Sequence, residues 1–395
     1  MSGTAKAHGM DGTLVEPDWA PLALAEVRVL LSQFPDYGEP IEILNVSPRP
    51  FSAASVVSVR GRRVFVKRHH RTVRDREGLL EEHLFLDHLH AHGAPVPRVH
   101  AAYSGETAIE VGDWTYELHE VPAGVDLYRD ALSWTPFRTA AHARSAGEAL
   151  ARLQLAAEGF AAPRRKPRAL VASFTIFAAE DAGAEMDAYL RKRPALQNYF
   201  QRRESCDEAL EFLAPFHAQL LPLLPALRPL WTHNDLHASN LLWNHAGGDA
   251  RATAIIDFGL ADRTNAVHDL AHAIERNIVE WLVLTEDPAH PENVPVHFDH
   301  LDALLSGYES VRPLSEAEAA ALAPMTALCH AEFALSETDY FLSVLRSEEK
   351  ARMAGEDWLV GHARWFHGRE GEKLLDALRR WAETRERRTQ GVHQA

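Results

Sequence analysis

Three oxygen-bearing side chains stand close together near the middle of the chain. Asp235 and Asn240 lie five residues apart in the run Trp231-Thr232-His233-Asn234-Asp235-Leu236-His237-Ala238-Ser239-Asn240. Asp257 follows the apolar run Ala254-Ile255-Ile256 and precedes Phe258-Gly259. A turn, His245 to Asp249, separates the two groups. Phosphoryl transfer needs such a set: one carboxylate to take a proton from an attacking hydroxyl, and an amide and a second carboxylate to hold a divalent metal on the phosphates. The order matches His-x-Asp-x-x-x-x-Asn followed by Asp-Phe-Gly. Each half alone is weak, because Asp and Asn also cap turns. Both halves in order are specific.

A second constellation lies upstream. Lys67 ends the apolar run Val64-Phe65-Val66, and a helix is expected after it, with Leu80, Leu84, Leu86 and Leu89 near one face and Gly93 as its stop. Glu81 and Glu82 stand on that helix. A strand lysine paired with a helix glutamate fixes an ammonium against nucleotide phosphates. An isolated surface pair would carry no such meaning; here the pair precedes Asp235, Asn240 and Asp257 in the required order.

These residues need elements to position them. A helix is expected over Pro17 to Phe34, followed by strands at Ile41 to Val46, Ala54 to Val59 and Val64 to Val66. A second hairpin spans Ala108 to Val111 and Trp114 to Val121, turning at Gly112-Asp113. The turn between the first two strands, Pro48-Arg49-Pro50-Phe51-Ser52-Ala53-Ala54-Ser55, has no glycine. Backbone amides and the hydroxyls of Ser52 or Ser55 would have to cover the phosphates. Beyond Val121-Pro122-Ala123-Gly124 the pattern turns helical: 140–156, two helices in 178–221, then 268–284, 299–310, 315–345 and 356–384. The segment 161–173 is basic and reads as an exposed loop.

Size and charge bound the rest. The chain of 395 residues carries a net charge of −15, which argues against nucleic acid or an anionic membrane as partner. No apolar run approaches the ~18 residues of a membrane span. Cys206 and Cys329 lack metal or redox spacing, so a reduced, cytoplasmic setting is expected. His233 and His237 would share a metal only on a helix, and their surroundings read as a loop.

With these residues in view, the chain resembles the aminoglycoside phosphotransferase and choline kinase-like family of small-molecule kinases. The resemblance runs from about Ile41 to Ile274 and rests on Phe65-Val66-Lys67, on Glu82 with Leu86, Leu89 and Pro95-Val96-Pro97, on Glu120 to Gly124, on His233 to Asn240 and on Ile255 to Gly259. His268-Asp269-Leu270-Ala271 matches a further family segment whose aspartate holds the catalytic loop. The implied fold is α+β and two-lobed, protein-kinase-like. A disordered tail (1–16) would precede a nucleotide-binding N-lobe (17–122) and a helical C-lobe (123–395) carrying the catalytic loop, 231–260.

The resemblance implies Asp235 as catalytic base, Asn240 and Asp257 as Mg²⁺ ligands, Lys67 as phosphate clamp with Glu82 as its partner, and Glu120 and Val121 near the base of ATP, with Val121 or Ala123 as the backbone donor. Family members often carry Gly where this chain has Asn234. Pro122, near the adenine position, has no N–H to offer. Too few residues separate Asp257 from Asp269 for a protein-kinase activation loop, so the substrate is expected to be a small hydroxyl compound. Carboxylates at Glu275, Glu332, Glu337 and Asp339, with Trp281, Phe333 and Tyr340, favour an ammonium-bearing polyol such as an aminoglycoside or another hydroxylated antibiotic. A metabolic kinase of an amino alcohol, amino acid or sugar, or an inactive nucleotide-binding member, are the alternatives, and the oligomeric state is left open.

Overall fold

The computed structural model describes residues 7–8, 14–35, 37–287 and 289–392. Most of the tail expected over 1–16 lies outside the described residues; within it, Ala7–His8 pairs antiparallel with Leu14–Val15. By its contacts the chain divides into two compact units, 1–133 with 239–258, and 134–238 with 259–395. The division therefore does not fall at residue 122. The pairing of Val125 with Trp243, and the bond from Ile255 N to Pro95 O at 3.0 Å, tie 239–258 to the N-terminal unit.

The N-terminal unit is built on an antiparallel sheet of five strands: β1 (Pro40–Val46), β2 (Ala53–Val59), β3 (Arg62–His70), β4 (Ile109–Val111) and β5 (Trp114–Glu120), in the order β1-β2-β3-β5-β4. Alternation puts Val57, Val59, Val64 and Val66 in a core shared with Leu118 and Tyr116 and covered by α1 (Leu24–Leu31) through Val27, Leu30 and Leu31. The helix starts later than the sequence pattern suggests, at Leu24, because Ala23 is extended (φ −92°, ψ 145°) and serves as its N-cap. Asp75 caps α2 (Arg76–Ala91) by accepting from Gly78 N at 2.7 Å. Leu79, Phe85, Leu86 and Leu89 form its buried side, whereas Leu84 is exposed, contrary to the expected face. The alternation on β3 sends Lys67 and His69 to one face, opposite Glu117 and Thr115 on β5.

The second unit is helical: α3 (Ala140–Ala157), α4 (Ala182–Arg191), α5 (Pro194–Phe200), α6 (Ser205–Leu220), α7 (Ala266–Ile278), α8 (Trp281–Glu286), α9 (Phe298–Glu309), α10 (Glu316–Leu328) and α11 (His330–Asp339) come first. A helical run with π-type turns over Tyr340–Val344 and Met353–Val360 leads to the last helix, Arg369–Val392. No helix among the described residues is long and apolar enough to cross a membrane. One close crossing matters for the site. A Cβ on Gly147 of α3 would lie 2.1 Å from Leu304 O of α9, so only glycine lets the two backbones approach. The segment 161–173 is not the exposed loop expected: Arg165 is buried and donates to Gly259 O and Ala261 O at 3.0 and 3.2 Å.

Candidate active site

In the N-terminal unit, five of the residues singled out for nucleotide binding, Lys67, Glu82, Ser55, Glu120 and Val121, line one cavity of about 290 Å³ together with Asn240 and Asp257. Asn240 and Asp257 reach it on β7 (Leu241–Trp243) and β8 (Ala252–Ile255), a short antiparallel pair that presents one residue before its first strand and one after its second. Ile256 N donates to Asn240 O at 2.9 Å and closes that end. Asp257 sits at φ +62°, a left-handed conformation that aspartate tolerates better than most residues. Ser52 is not among the lining residues. Ser55 is, and its buried Oγ has no hydrogen-bond partner.

Lys67 Nζ donates to Asp257 Oδ1 at 3.0 Å. Burial works against the ammonium, but Asp257, Glu117 and Glu82 outweigh it and hold Lys67 above its ordinary value. Glu82 thus acts on Lys67 through its charge and not through a hydrogen bond, which corrects the expected direct pairing. The carboxylate bonded to Lys67 is Asp257, and Glu82 Oε1 accepts from Arg74 Nε at 2.9 Å. Arg74 stands eight residues before Glu82, just ahead of α2, where the turn folds its guanidinium back onto the helix. Arg49 was not singled out from sequence. It replaces the glycine-rich turn with a cation that lines the cavity and donates to Ser133 Oγ at 3.1 Å and Ser239 Oγ at 2.5 Å.

The helical unit builds the surroundings of Asp235. β6 (Pro229–Thr232) pairs with β9 (Asp262–Asn265), and the loop after β6 is pinned by α7. Asp269 accepts from Asn234 N at 2.8 Å and His233 N at 3.3 Å, while Asn277 Nδ2 donates to Leu236 O at 2.8 Å. Gln154, on α3, donates to Asp269 Oδ2 at 3.2 Å, so the close α3–α9 crossing supports the loop from behind. Asn234 has φ +59°, a left-handed conformation that asparagine, like glycine, adopts more readily than other residues.

Asp235 Oδ1 faces Arg276 Nη1 at 3.1 Å, and Asp235 Oδ2 lies 3.8 Å from His237 Nε2. Arg276 was missed by sequence reasoning; the available signal was its place about two turns after Asp269, on the same face of a helix of strong amphipathic pattern. Its guanidinium lies 4.1 Å over the Phe333 ring, and its Nε and Nη2 are buried without hydrogen-bond partners. Glu337 is wholly buried, both of its oxygens lack partners, and burial pushes its carboxyl well above the usual range against the pull of Arg276.

The other carboxylates expected to meet substrate have internal partners. Glu275 lies 3.3 Å from His362 Nδ1, and Trp281 stacks on His362. Glu332 Oε1 accepts from Ile176 N at 2.7 Å and Thr175 Oγ1 at 3.0 Å. Asp339 lies 3.7 Å from Arg193. All three thus have a partner inside the helical unit, although Glu332 Oε2 is buried without one, and Tyr340 is fully buried beside them in sequence.

Residues 51–314 match the model of the phosphotransferase enzyme family (APH). Homoserine kinases of Hyphomonas neptunium and Xanthobacter autotrophicus are each 30% identical, over 61% and 60% of this chain. The match spans 63% and 61% of those relatives' own length. The fold is similar to that of a microcompartment-associated aminopropanol kinase (18% identity, TM-score 0.55, covering 86% of this chain and 95% of that one). It is also similar to an amicoumacin kinase solved with AMP-PNP, Ca²⁺ and Ami (14%, TM-score 0.52, covering 84% and 92%). With an α+β, protein-kinase-like fold and a family match over most of its length, the chain belongs to the phosphotransferase enzyme family.

Proposed function

We propose that the protein transfers the γ-phosphoryl group of ATP to a hydroxyl of a small, amine-bearing molecule, an amino alcohol or a hydroxylated amino acid, with Mg²⁺ as metal. The donor set fits that metal. Asn240 and Asp257 offer hard oxygen ligands and no thiolate, and the cavity they line also exposes Lys67 and Arg49 to phosphate charge. When bound, Mg²⁺ neutralises charge on the transferring phosphates. Lys67 clamps the phosphates, Asn240 and Asp257 orient the metal, and Ser55 offers an unpaired hydroxyl. Asp235 takes the proton of the attacking hydroxyl, held in place by Arg276.

The observation that carries the substrate class is the pair Glu337 and Arg276. A buried carboxyl with no partner on either oxygen is costly unless a ligand completes it, by ~1–3 kcal/mol for each unsatisfied group. An ammonium group supplies the missing donors and draws Glu337 back to its charged form; Arg276 keeps two N–H groups for a carboxylate or hydroxyl. The homoserine kinases among the relatives act, by name, on a compound of that class. A hydroxylated cationic antibiotic is the second reading, favoured by the net charge of −15. The internal partners of Glu275, Glu332 and Asp339 leave it fewer carboxylates to meet. A panel of hydroxylated amino acids, amino alcohols, aminoglycosides, neutral sugars and nucleosides, scored by substrate-dependent ADP release, tests the assignment. Turnover of small amine-bearing alcohols is expected, and turnover confined to uncharged or anionic compounds would overturn it.

A further inference from the structure

Three histidines converge on one buried carboxylate in the N-terminal unit. Glu117 and His119 lie two residues apart on one face of β5, and His83 reaches them from α2. Glu117 Oε2 is 2.9 Å from His83 Nε2 and 2.8 Å from His119 Nε2. Glu117 Oε1 is 2.9 Å from His69 Nε2. Burial, four polar groups and a common focus distinguish this cluster from a solvated histidine patch. The geometry points to a transition-metal site of the zinc class, with His83 Nε2, His119 Nε2 and Glu117 Oε2 as ligands.

The ligand atoms of these three residues already lie within 4.8 Å of one another. Metal–nitrogen and metal–oxygen bonds of about 2.0–2.2 Å in tetrahedral array need donor atoms roughly 3.3 Å apart, a few tenths of an ångström beyond the present hydrogen-bond spacing. The two imidazole rings stand 6.0 Å apart at 78°, so both can aim Nε2 at one point without stacking. Binding requires each ligand histidine to carry its proton on Nδ1. His83 has a partner for it, since its Nδ1 lies 2.7 Å from Thr107 Oγ1, and such a bond fixes both tautomer and ring orientation. His69 holds the second oxygen of Glu117 and so orients the carboxylate. Imidazole nitrogens with one carboxylate suit zinc, cobalt or nickel better than magnesium, which separates this site from the oxygen set at Asn240 and Asp257.

His119 and Glu117 also line the cavity that holds Lys67, so the fourth position opens toward it. Glu117 is one of the carboxylates that hold the Lys67 ammonium. An ion on Glu117 competes with Lys67 for that carboxylate and couples metal occupancy to the phosphate clamp.

The test is a titration of the full chain with Zn²⁺ and, separately, Co²⁺, without nucleotide. One equivalent is expected to bind in the micromolar range or tighter, with the visible absorption of a four- or five-coordinate Co²⁺ centre. His83→Gln and His119→Gln should abolish that absorption, and Thr107→Val should weaken affinity about 10- to 100-fold, the usual cost of losing an outer partner. Circular dichroism of each variant without metal identifies any that fails to fold, and the milder Thr107→Val then decides. Binding that survives all three substitutions overturns the site, as does binding lost instead in a His297→Ala/His300→Ala variant of the separate His297-Asp299-His300 cluster. Absence of binding below millimolar metal overturns it as well.

Discussion

Glu117 and Glu337 are both buried carboxylates of one chain, yet their surroundings shift them in opposite directions. Burial pushes each of them up. Around Glu117 the imidazoles of His119, His69 and His83 more than offset that penalty and hold the carboxyl well below the usual range. Around Glu337 only Arg276 opposes it, Asp235 and Glu275 add to it, and the carboxyl stays well above. One cluster is complete in itself, because every oxygen of Glu117 has a donor within 2.9 Å. The other leaves both oxygens of Glu337 and two nitrogens of Arg276 unmatched. Buried polar groups are nearly always hydrogen-bonded. The lesson is that a matched, charged carboxylate ringed by imidazoles is preorganised for a cation, whether the Lys67 ammonium or the proposed metal, whereas an unmatched one calls for a donor that the protein itself does not supply.

The largest effect should come from the open cluster. Asp235→Asn is expected to lower kcat by ~10²-fold or more, the usual scale for losing a general base, while nucleotide affinity stays near wild type. Wild-type kcat in this variant, with an accepted substrate, would remove Asp235 from proton transfer.

On the nucleotide side the expected loss is in binding rather than in the chemical step. Lys67→Ala should raise KM for ATP roughly 10- to 100-fold, matching ~1.5–3 kcal/mol for a hydrogen bond to a charged group. Equal KM values for the variant and wild type would show that the pair with Asp257 serves folding alone.

A smaller effect separates the two glutamates by pH. The folded-state pKa of Glu337 is raised above its unfolded value of about 4.3. Its contribution to stability is therefore fully present below that value and lost as pH rises through the folded pKa. Glu337→Gln keeps the shape and cannot titrate. Its Tm should match wild type near the unfolded pKa and exceed it by a growing margin toward pH 8. Thermal melts across that range would detect this, and a margin independent of pH would place the carboxyl among ordinary paired groups.

The strands, and the candidate residues proposed above for the chemistry, stood out in the sequence because both depend on local pattern. Period-two alternation and the turns at Gly61 and Gly112 marked the hairpins, and β2 to β5 lie within a residue or a few of the expected runs. Asp235, Asn240 and Asp257 were readable through their spacing alone. What failed depended on tertiary partners. Glu332 looked like a free carboxylate on a helix, but its donors come from Thr175 and Ile176, more than 150 residues earlier. Glu82 was matched to Lys67 by position, while the guanidinium that reaches it belongs to Arg74. Arg276 carried no motif, and its role appears only when α7 folds against the loop that holds Asp235. The exposed position of Leu84 has the same origin, since a run rich in leucine does not say which leucine the sheet covers.

The most direct measurement is a two-by-two comparison of kcat/KM. An accepted amino alcohol or hydroxylated amino acid and the same compound without its amine are assayed with wild type and with Glu337→Gln. Wild type should prefer the amine-bearing compound by ~10- to 100-fold, the scale of a buried charge-assisted hydrogen bond. Glu337→Gln should lose most of that preference while changing turnover of the amine-free compound little. An undiminished preference in Glu337→Gln, or none in wild type, would contradict recognition of an amine by Glu337.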